Sequence, residues 1–215
     1  MAGRRTYDDG CGIARALDIV GERWALLVIR ELLLGPKRFT DLRTGLPGVS
    51  ANILAQRLRD LEESGVVLRR RMEPPAGSWV YEVTESGRGL EQVILDLGRW
   101  GLQSTSLPHD APIGVDSVIL SLRARFDPKA AADLQGEYEL RLDGYRFRAV
   151  VDDGRIVLAR GVSEHADAVI ETTPGRLDSL VSGELSVTEL VGTGGATVEG
   201  DLAAAERFAT LFSAS

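Results

Sequence analysis

The chain has 215 residues, 27% charged and 44% hydrophobic, with a formal net charge of −7, a length that suits one large domain or two small ones. It has no apolar run of about 18 residues and no signal-peptide pattern over residues 1–10, so neither a membrane span nor secretion is expected, and the location implied is the cytoplasm. One Cys and two His exclude an internal disulfide framework and leave no zinc or iron constellation, so no metal or cofactor is expected.

Charge is unevenly divided. Residues 1–108 hold 15 basic and 14 acidic side chains, residues 109–215 hold 10 and 18, and the segment 37–71 holds 8 and 4. Basic charge gathers where a nucleic-acid contact would need it, and the acidic second half should avoid DNA.

In chain order, residues 1–10 are polar and read as a mobile arm, with Arg4 and Arg5 either touching phosphate or solvated. Ile13, Leu17 and Val20 at helical spacing predict a first helix over residues 11–20. Cys11 stands at its start, and a helix start can supply the exposure and the activation that a reactive thiol needs. It is a candidate redox sensor, set against the commoner fate of a small buried side chain. Trp24, Leu27, Val28, Leu32 and Leu33 predict a second helix over 22–34, ended by Gly35-Pro36, with Trp24 as a core anchor.

A short helix around Thr40 to Thr44 and a Gly/Pro turn then lead into a longer helix over residues 50–65. Ser50 caps this helix, and Gly65 suits its left-handed close. Ile53, Leu54, Leu58 and Leu61 share one arc and should face the core. The other arc carries Asn52, Ala55, Gln56 and Arg59. Asn and Gln match adenine edges, Arg matches guanine edges, and Ala permits close approach, so this arc suits a major groove. Taken alone, it is equally a solvated face. The short helix and turn before it make the helix-turn-helix arrangement.

Lys37, Arg38 and Arg43 lie where the first helix of that motif nears the DNA backbone, as phosphate contacts or as solvated charges. Arg57 falls inside the apolar arc, so its stem should pack inward and its head should pair with an acid. Residues 66–72 and 79–84 predict two strands joined by a loop, which is a wing. Arg69 and Arg71 share one wing face, with Gly77 and Ser78 at the tip, placed to reach flanking phosphates or the minor groove.

Thr84 caps a predicted long helix to about residue 106. Its stripe of Leu90, Val93, Ile94, Leu97 and Trp100 is wider than one small domain covers. A second copy, meeting it together with Ile13 and Leu17, is the simplest cover, and the second half of the chain is the alternative. Two prolines in residues 107–112 mark a linker, which divides the chain into domains 1–107 and 113–215.

The second half opens with a predicted helix over 116–132. A three-stranded meander follows, turning at Asp143-Gly144 and Asp153-Gly154. Tyr138, Leu140 and Leu142 face Tyr145, Phe147 and Ala149 on one side, and these supply a candidate ligand wall in Tyr138, Leu140, Tyr145 and Phe147. The other side pairs Glu139 with Arg148 and Arg141 with Arg146, a like-charge pair that should keep this face wet. A fourth strand (A-V-I-E-T-T), helices over 175–182 and 186–191, a strand (T-V-E-G) and a helix over 202–212 complete the chain. The fold class is α+β, a winged helix-turn-helix followed by an α+β domain with a mainly antiparallel sheet. Gly192-Thr193-Gly194-Gly195 lacks the Lys and the strand-loop-helix context of a phosphate loop, and His165 has no nucleophile beside it. No catalytic residue is expected.

The motifs C-G-I-A-R-A-L-D-I-V-G-E-R-W, R-E-L-L-L-G-P-K-R-F-T-D-L, L-R-D-L-E-E-S-G-V-V and Y-E-V-T-E-S-G resemble the HxlR family of bacterial transcriptional regulators over roughly residues 7 to 105. The resemblance implies a dimeric, sequence-specific winged-helix DNA binder with autoregulatory or local targets. Two departures stand out: Gly12 follows the Cys where the family commonly has Pro, and this chain continues for about a hundred residues past the family's usual end. The stretches A-D-A-V-I-E-T-T-P-G-R-L-D-S-L-V-S-G-E-L-S-V and T-V-E-G-D-L-A-A-A-E-R-F-A-T-L-F resemble the sterol-carrier-protein-like domain. That resemblance implies an apolar pocket for lipid-like molecules.

Together these features predict a homodimeric regulator that binds a double-stranded DNA operator and answers to a small hydrophobic effector. Two alternatives stand beside it: a carrier of hydrophobic metabolites whose winged domain serves protein contacts, and a regulator whose second half only braces the dimer. The polar Asn52/Gln56/Arg59 arc argues against protein docking, which would call for apolar residues there.

Overall fold

The computed structural model describes residues 6–75, 77–103 and 111–212, so Arg4, Arg5, Ser106 and most of the expected linker lie outside the described residues. The chain divides into two compact units, Met1–Ile94 and Leu95–Ser215.

In the first unit, α1 (Gly12–Val20) starts on exposed Cys11, whose Sγ accepts the Ala14 N–H at 3.3 Å. It buries Ala14 and Val20 but leaves Ile13 75% exposed. The second helix, α2 (Ala25–Leu32), begins later than its apolar pattern suggested. Trp24 precedes it in the left-handed region at φ +80° and is only half-buried. The buried apolar residues of α2 are Ala25, Val28, Ile29 and Leu32, spaced i, i+3, i+4 and i+7. Leu27 lies outside that arc and is exposed, so neither Trp24 nor Leu27 anchors the core as expected.

α3 (Phe39–Gly45) and α4 (Ala51–Glu63) form the helix-turn-helix. Leu42, Leu46 and Val49 are buried around the turn, where Gly48 takes φ +89°. Ser50 Oγ caps α4 by accepting the Ile53 N–H at 3.3 Å, and Gly65 follows its end at φ +70°. Leu54, Leu58 and Leu61 are fully buried. Ile53 is exposed, which corrects its placement in the core: it sits about 100° around the helix from Leu54, off the buried arc.

Strands β1 (Val67–Arg71) and β2 (Trp79–Val83) pair antiparallel as the wing. The wing is tied to the segment before α3 by two backbone bonds between Lys37 and Tyr81, at 3.0 and 2.8 Å. The helix expected from Thr84 onward is two helices, α5 (Glu85–Arg88) and α6 (Glu91–Leu102), with a turn at Gly89-Leu90. Thr84 caps the short one and also donates its hydroxyl to the Gly65 carbonyl at 2.7 Å. Gly87 lies so close to Val66 that a Cβ there would stand 2.2 Å from the Val66 carbonyl oxygen. Those contacts lock α5 onto the base of the wing, and the chain must turn before it can continue. α6 runs across the division at residues 94 and 95; none of its residues is buried, and Trp100 is 69% exposed.

The second unit is α+β. α7 (Val115–Arg125) stops well short of residue 132, because Pro128 disfavours helical geometry at Asp127. A five-stranded sheet runs in the order β5 (Arg155–Arg160), β4 (Tyr145–Asp152), β3 (Gly136–Leu142), β6 (Ala168–Thr172), β7 (Ala196–Gly200). Only the β3–β6 pair is parallel. Asp143-Gly144 and Asp153-Gly154 both have positive φ at each position, as two-residue hairpins with the strands' own twist require. α8 (Pro174–Val181), α9 (Val187–Gly192) and α10 (Leu202–Ala209) complete the unit. Its core includes Ile119, Leu122, Tyr138, Leu140, Phe147 and Phe208.

The meander pairs in the expected register, with Glu139 opposite Arg148 and Arg141 opposite Arg146, but this face is not uniformly wet. Glu139 is buried and accepts from Arg141 Nε at 2.7 Å and from the Ser163 N–H at 2.9 Å, with Arg146 Nε at 3.8 Å. One carboxylate placed near both arginines relieves the repulsion that the pairing alone would create. Arg148 instead turns to Glu137 and donates Nε and Nη2 to its two oxygens, each at 2.6 Å. That bidentate contact, with a Ser163 hydroxyl at 2.5 Å, holds the Glu137 carboxyl down at about 2.

A depressed folded-state pKa stabilises the unit above the ordinary value of 4.5, and that stabilisation is lost as pH falls toward 2. Denaturant unfolding of wild type and Glu137→Gln should therefore differ at neutral pH and converge between pH 4.5 and 2. A gap that stays constant across that range would contradict the Arg148 pairing.

Candidate nucleic-acid interface and the second-unit cavity

With Leu54, Leu58 and Leu61 packed inward, α4 turns Asn52, Gln56 and Arg59 to solvent, with Ala55 half-buried between them. The polar residues are linked along the helix. Arg59 Nη2 donates to Gln56 Oε1 at 2.7 Å, and Gln56 Nε2 donates to Asp60 Oδ1 at 2.7 Å. Asp60 also holds Arg57 Nη1 at 2.9 Å, and Arg57 Nη2 reaches Glu22 at 3.4 Å. Arg57 is thus turned inward and paired with acids, as its position in the apolar arc required. The two acids of this network, Asp60 and Glu22, do not stand out in the sequence pattern.

Arg38 and Arg43 are exposed at the two ends of α3. The Asp41 carboxylate accepts the Arg38 N–H at 3.2 Å, closing the first turn. Lys37 is not a free phosphate donor: its Nζ lies 2.5 Å from Glu31 Oε2, which also faces Arg30 through its other oxygen at 2.9 Å. Glu31 is buried and was not singled out by its sequence context, a lone acid in an apolar helix.

On the wing, Arg69 and Arg71 are both exposed and stand opposite Tyr81 and Trp79. Gly77 and Ser78 lie next to Ala76, which is outside the described residues. The strand register also sets the aromatics Trp79 and Tyr81 beside these arginines, a juxtaposition that single-strand patterning does not reveal.

The expected ligand wall is a filled core. Tyr138, Leu140 and Phe147 are fully buried, with the Tyr138 ring 4.7 Å from that of Phe208. Tyr145 is exposed, with the Arg160 guanidinium 5.2 Å from its ring centre. A cavity of about 390 Å³ lies elsewhere in the unit, against α8, α9 and α10. Its apolar lining includes Leu180, Val181, Leu185 and Phe212, and Glu184, Glu189 and Glu206 also border it. None of the four expected wall residues lines it. Each of the three carboxylates accepts from a hydroxyl, of Ser179, Ser186 and Thr188 respectively, and none makes an ion pair among the described residues. The Ser186 backbone N–H, then its hydroxyl, holds the Glu189 carboxyl below its ordinary range.

Gly192 ends α9, and the turn through Gly195 is closed by the Gly195 N–H on the Leu190 carbonyl at 2.6 Å, without phosphate-loop context. Among the described residues no cluster of His, Cys, Asp or Glu could hold a metal ion. No helix among them is long and apolar enough to cross a membrane.

A helix-turn-helix with a polar outward face on its second helix, followed by a wing, defines a DNA-binding regulator. Residues 19–108 match the HxlR-like helix-turn-helix family and residues 120–213 the SCP-2 sterol transfer family. The chain belongs to the HxlR-like helix-turn-helix family of transcriptional regulators and carries an SCP-2 domain after it. It is 37% identical to the HTH-type transcriptional regulator YdeP of Bacillus subtilis over 93 residues, 43% of this chain and 73% of YdeP. To the Bacillus subtilis regulator YodB it is 34% identical over 88 residues, 41% of this chain and 79% of YodB. Among solved structures, the reduced form of YodB is 31% identical and covers 46% of this chain and 97% of its own, with a TM-score of 0.41.

Proposed function

We propose that this regulator acts in the cytoplasm as a homodimer on a roughly palindromic operator, reading bases with Asn52, Gln56 and Arg59 of α4. The observation that carries this is the division of α4 into a fully buried leucine arc and an exposed Asn/Gln/Arg arc. The experiment is a competition measured by fluorescence anisotropy, with labelled DNA from upstream of its own gene against unlabelled unrelated duplex. Specific binding should survive an excess of the unrelated duplex and weaken steeply with salt. Equal competition by both duplexes would remove the operator from the account.

The dimer reading rests on apolar residues of α1 and α6. Ile13, Leu17, Val93, Leu97 and Trp100 are all exposed, while Leu90 and Ile94 are half-buried. An apolar set of this size favours self-association. Light scattering should give twice the chain mass at micromolar concentration, and Leu97→Glu should lower it toward the monomer. A wild-type monomer at that concentration would contradict both the dimer and a two-half-site operator.

The second half is read as the effector domain. Its cavity falls within the usual size of small-ligand sites, about 300–1,000 Å³, and combines apolar lining with carboxylates that no described cation neutralises. Those features favour an amphipathic effector with a positively charged head over a purely structural brace. A ligand preferring one DNA-binding conformation should shift operator affinity by about 5- to 150-fold. Titrating a cationic amphiphile and a fatty acid of equal chain length into the operator complex tests this. The cation should act at the lower concentration; no effect from either would favour the brace.

A further inference from the structure

The three consecutive arginines of the wing are held in different ways. Arg70 Nε lies 2.8 Å from Glu82 Oε2, and Arg71 Nε donates to the Gly77 carbonyl at 3.0 Å. Arg69 has neither kind of partner. Its guanidinium carbon sits 4.5 Å from the Trp79 ring centre and 5.9 Å from that of Tyr81, and no described residue accepts a hydrogen bond from it. Stacking occupies the flat face of a guanidinium, whereas its N–H donors lie in the plane and point outward from the edge. Arg69 is therefore placed against two rings while its hydrogen-bonding capacity is unspent. Trp79 is itself 51% exposed, so the pair lies at the protein surface.

Arg69 lies in the middle of β1 and not in the loop at the tip of the wing. The edge of a guanidinium matches two phosphate oxygens. An arginine already ordered in the free protein also loses less rotamer freedom when it takes them.

We propose that Trp79 is a positioning residue of the DNA interface, holding Arg69 flat so that it takes a backbone phosphate beside the segment read by α4. This rests on the reading of the chain as an operator-binding regulator.

The test uses the full chain with operator and unrelated duplex across a salt series. Arg69→Ala and Trp79→Ala should each weaken both duplexes by the same factor, about ten-fold. Arg69→Ala should reduce the slope of log affinity against log salt by about one per protomer. Trp79→Phe keeps an aromatic shelf and should restore most of the affinity, and Trp79→Ala should add nothing in an Arg69→Ala background. Thermal unfolding of each variant checks that the wing remains folded. Loss confined to the operator would make Arg69 a base reader, and unchanged affinity and slope would make the stack purely structural; either overturns the proposal. If wild type discriminates operator from unrelated duplex while these variants behave like it, the positioning role fails alone. If wild type does not discriminate, the operator reading fails with it.

Discussion

Glu31→Ala is expected to lower the stability of the first unit by about 3–5 kcal/mol, the cost of removing one partner from a buried ion pair. The Glu31 side chain is 3% exposed and holds Arg30 with one oxygen and Lys37 with the other. It also fills the space beside Gly45 at the end of α3, where a Cβ would stand 2.2 Å from Oε2. Deleting the carboxylate removes the acceptor that Arg30 and Lys37 share and opens a void beside Gly45. The damage should not stop at α2, because the backbone of Lys37 pairs with Tyr81 of the wing. Denaturant unfolding checks the size of the effect, and hydrogen exchange at Tyr81 and Lys37 checks its path. A loss under about 1 kcal/mol would place Glu31 with exposed ion pairs and refute its role as the tie between helix-turn-helix and wing.

The second large effect is on recognition. Arg59→Ala should relax base preference at one position in each half-site and cost about 1–3 kcal/mol of specific binding, with little change in binding to unrelated DNA. In the free protein Arg59 and Gln56 satisfy each other, and Asp60 satisfies Gln56. Exposed bonds of this kind are worth little, so exchanging them for base edges removes only a small part of the gain. Asn52→Ala should act likewise at a neighbouring base. Binding measured against a set of single-base operator variants separates these effects from general weakening. Full specificity in both variants would mean that another face of the protein reads the DNA.

Much of this organisation was legible in the sequence because it depends on local rules. The caps at Ser50 and Thr84, the left-handed close at Gly65 and the Asp-Gly hairpins each follow from one or two residues. The meander register followed from alternation between those turns. What sequence pattern missed depends on contacts between elements. Ile53 and Leu27 are apolar and helically spaced, yet they fall outside the arcs that neighbouring elements cover. The break at Gly89-Leu90 is imposed by α5 packing against Val66, which no local pattern records. Glu31 is a lone acid in an apolar helix, and only the fold brings Lys37 around to it beside Arg30. In the second unit, side-chain alternation identified the covered face of the sheet at Tyr138, Leu140, Leu142, Phe147 and Ala149 but not at Tyr145, which is exposed. It could not tell a filled face from a cavity wall, because Phe208, which closes against Tyr138, arrives about seventy residues later.

The central claim is specific DNA recognition by a symmetric dimer, and the most direct measurement is a footprint of the purified full-length chain on DNA upstream of its own gene. Protection of a roughly palindromic stretch is expected at moderate salt, with half-site centres about one or two helical turns apart. Protection that is absent there, or that covers unrelated DNA equally, would contradict it.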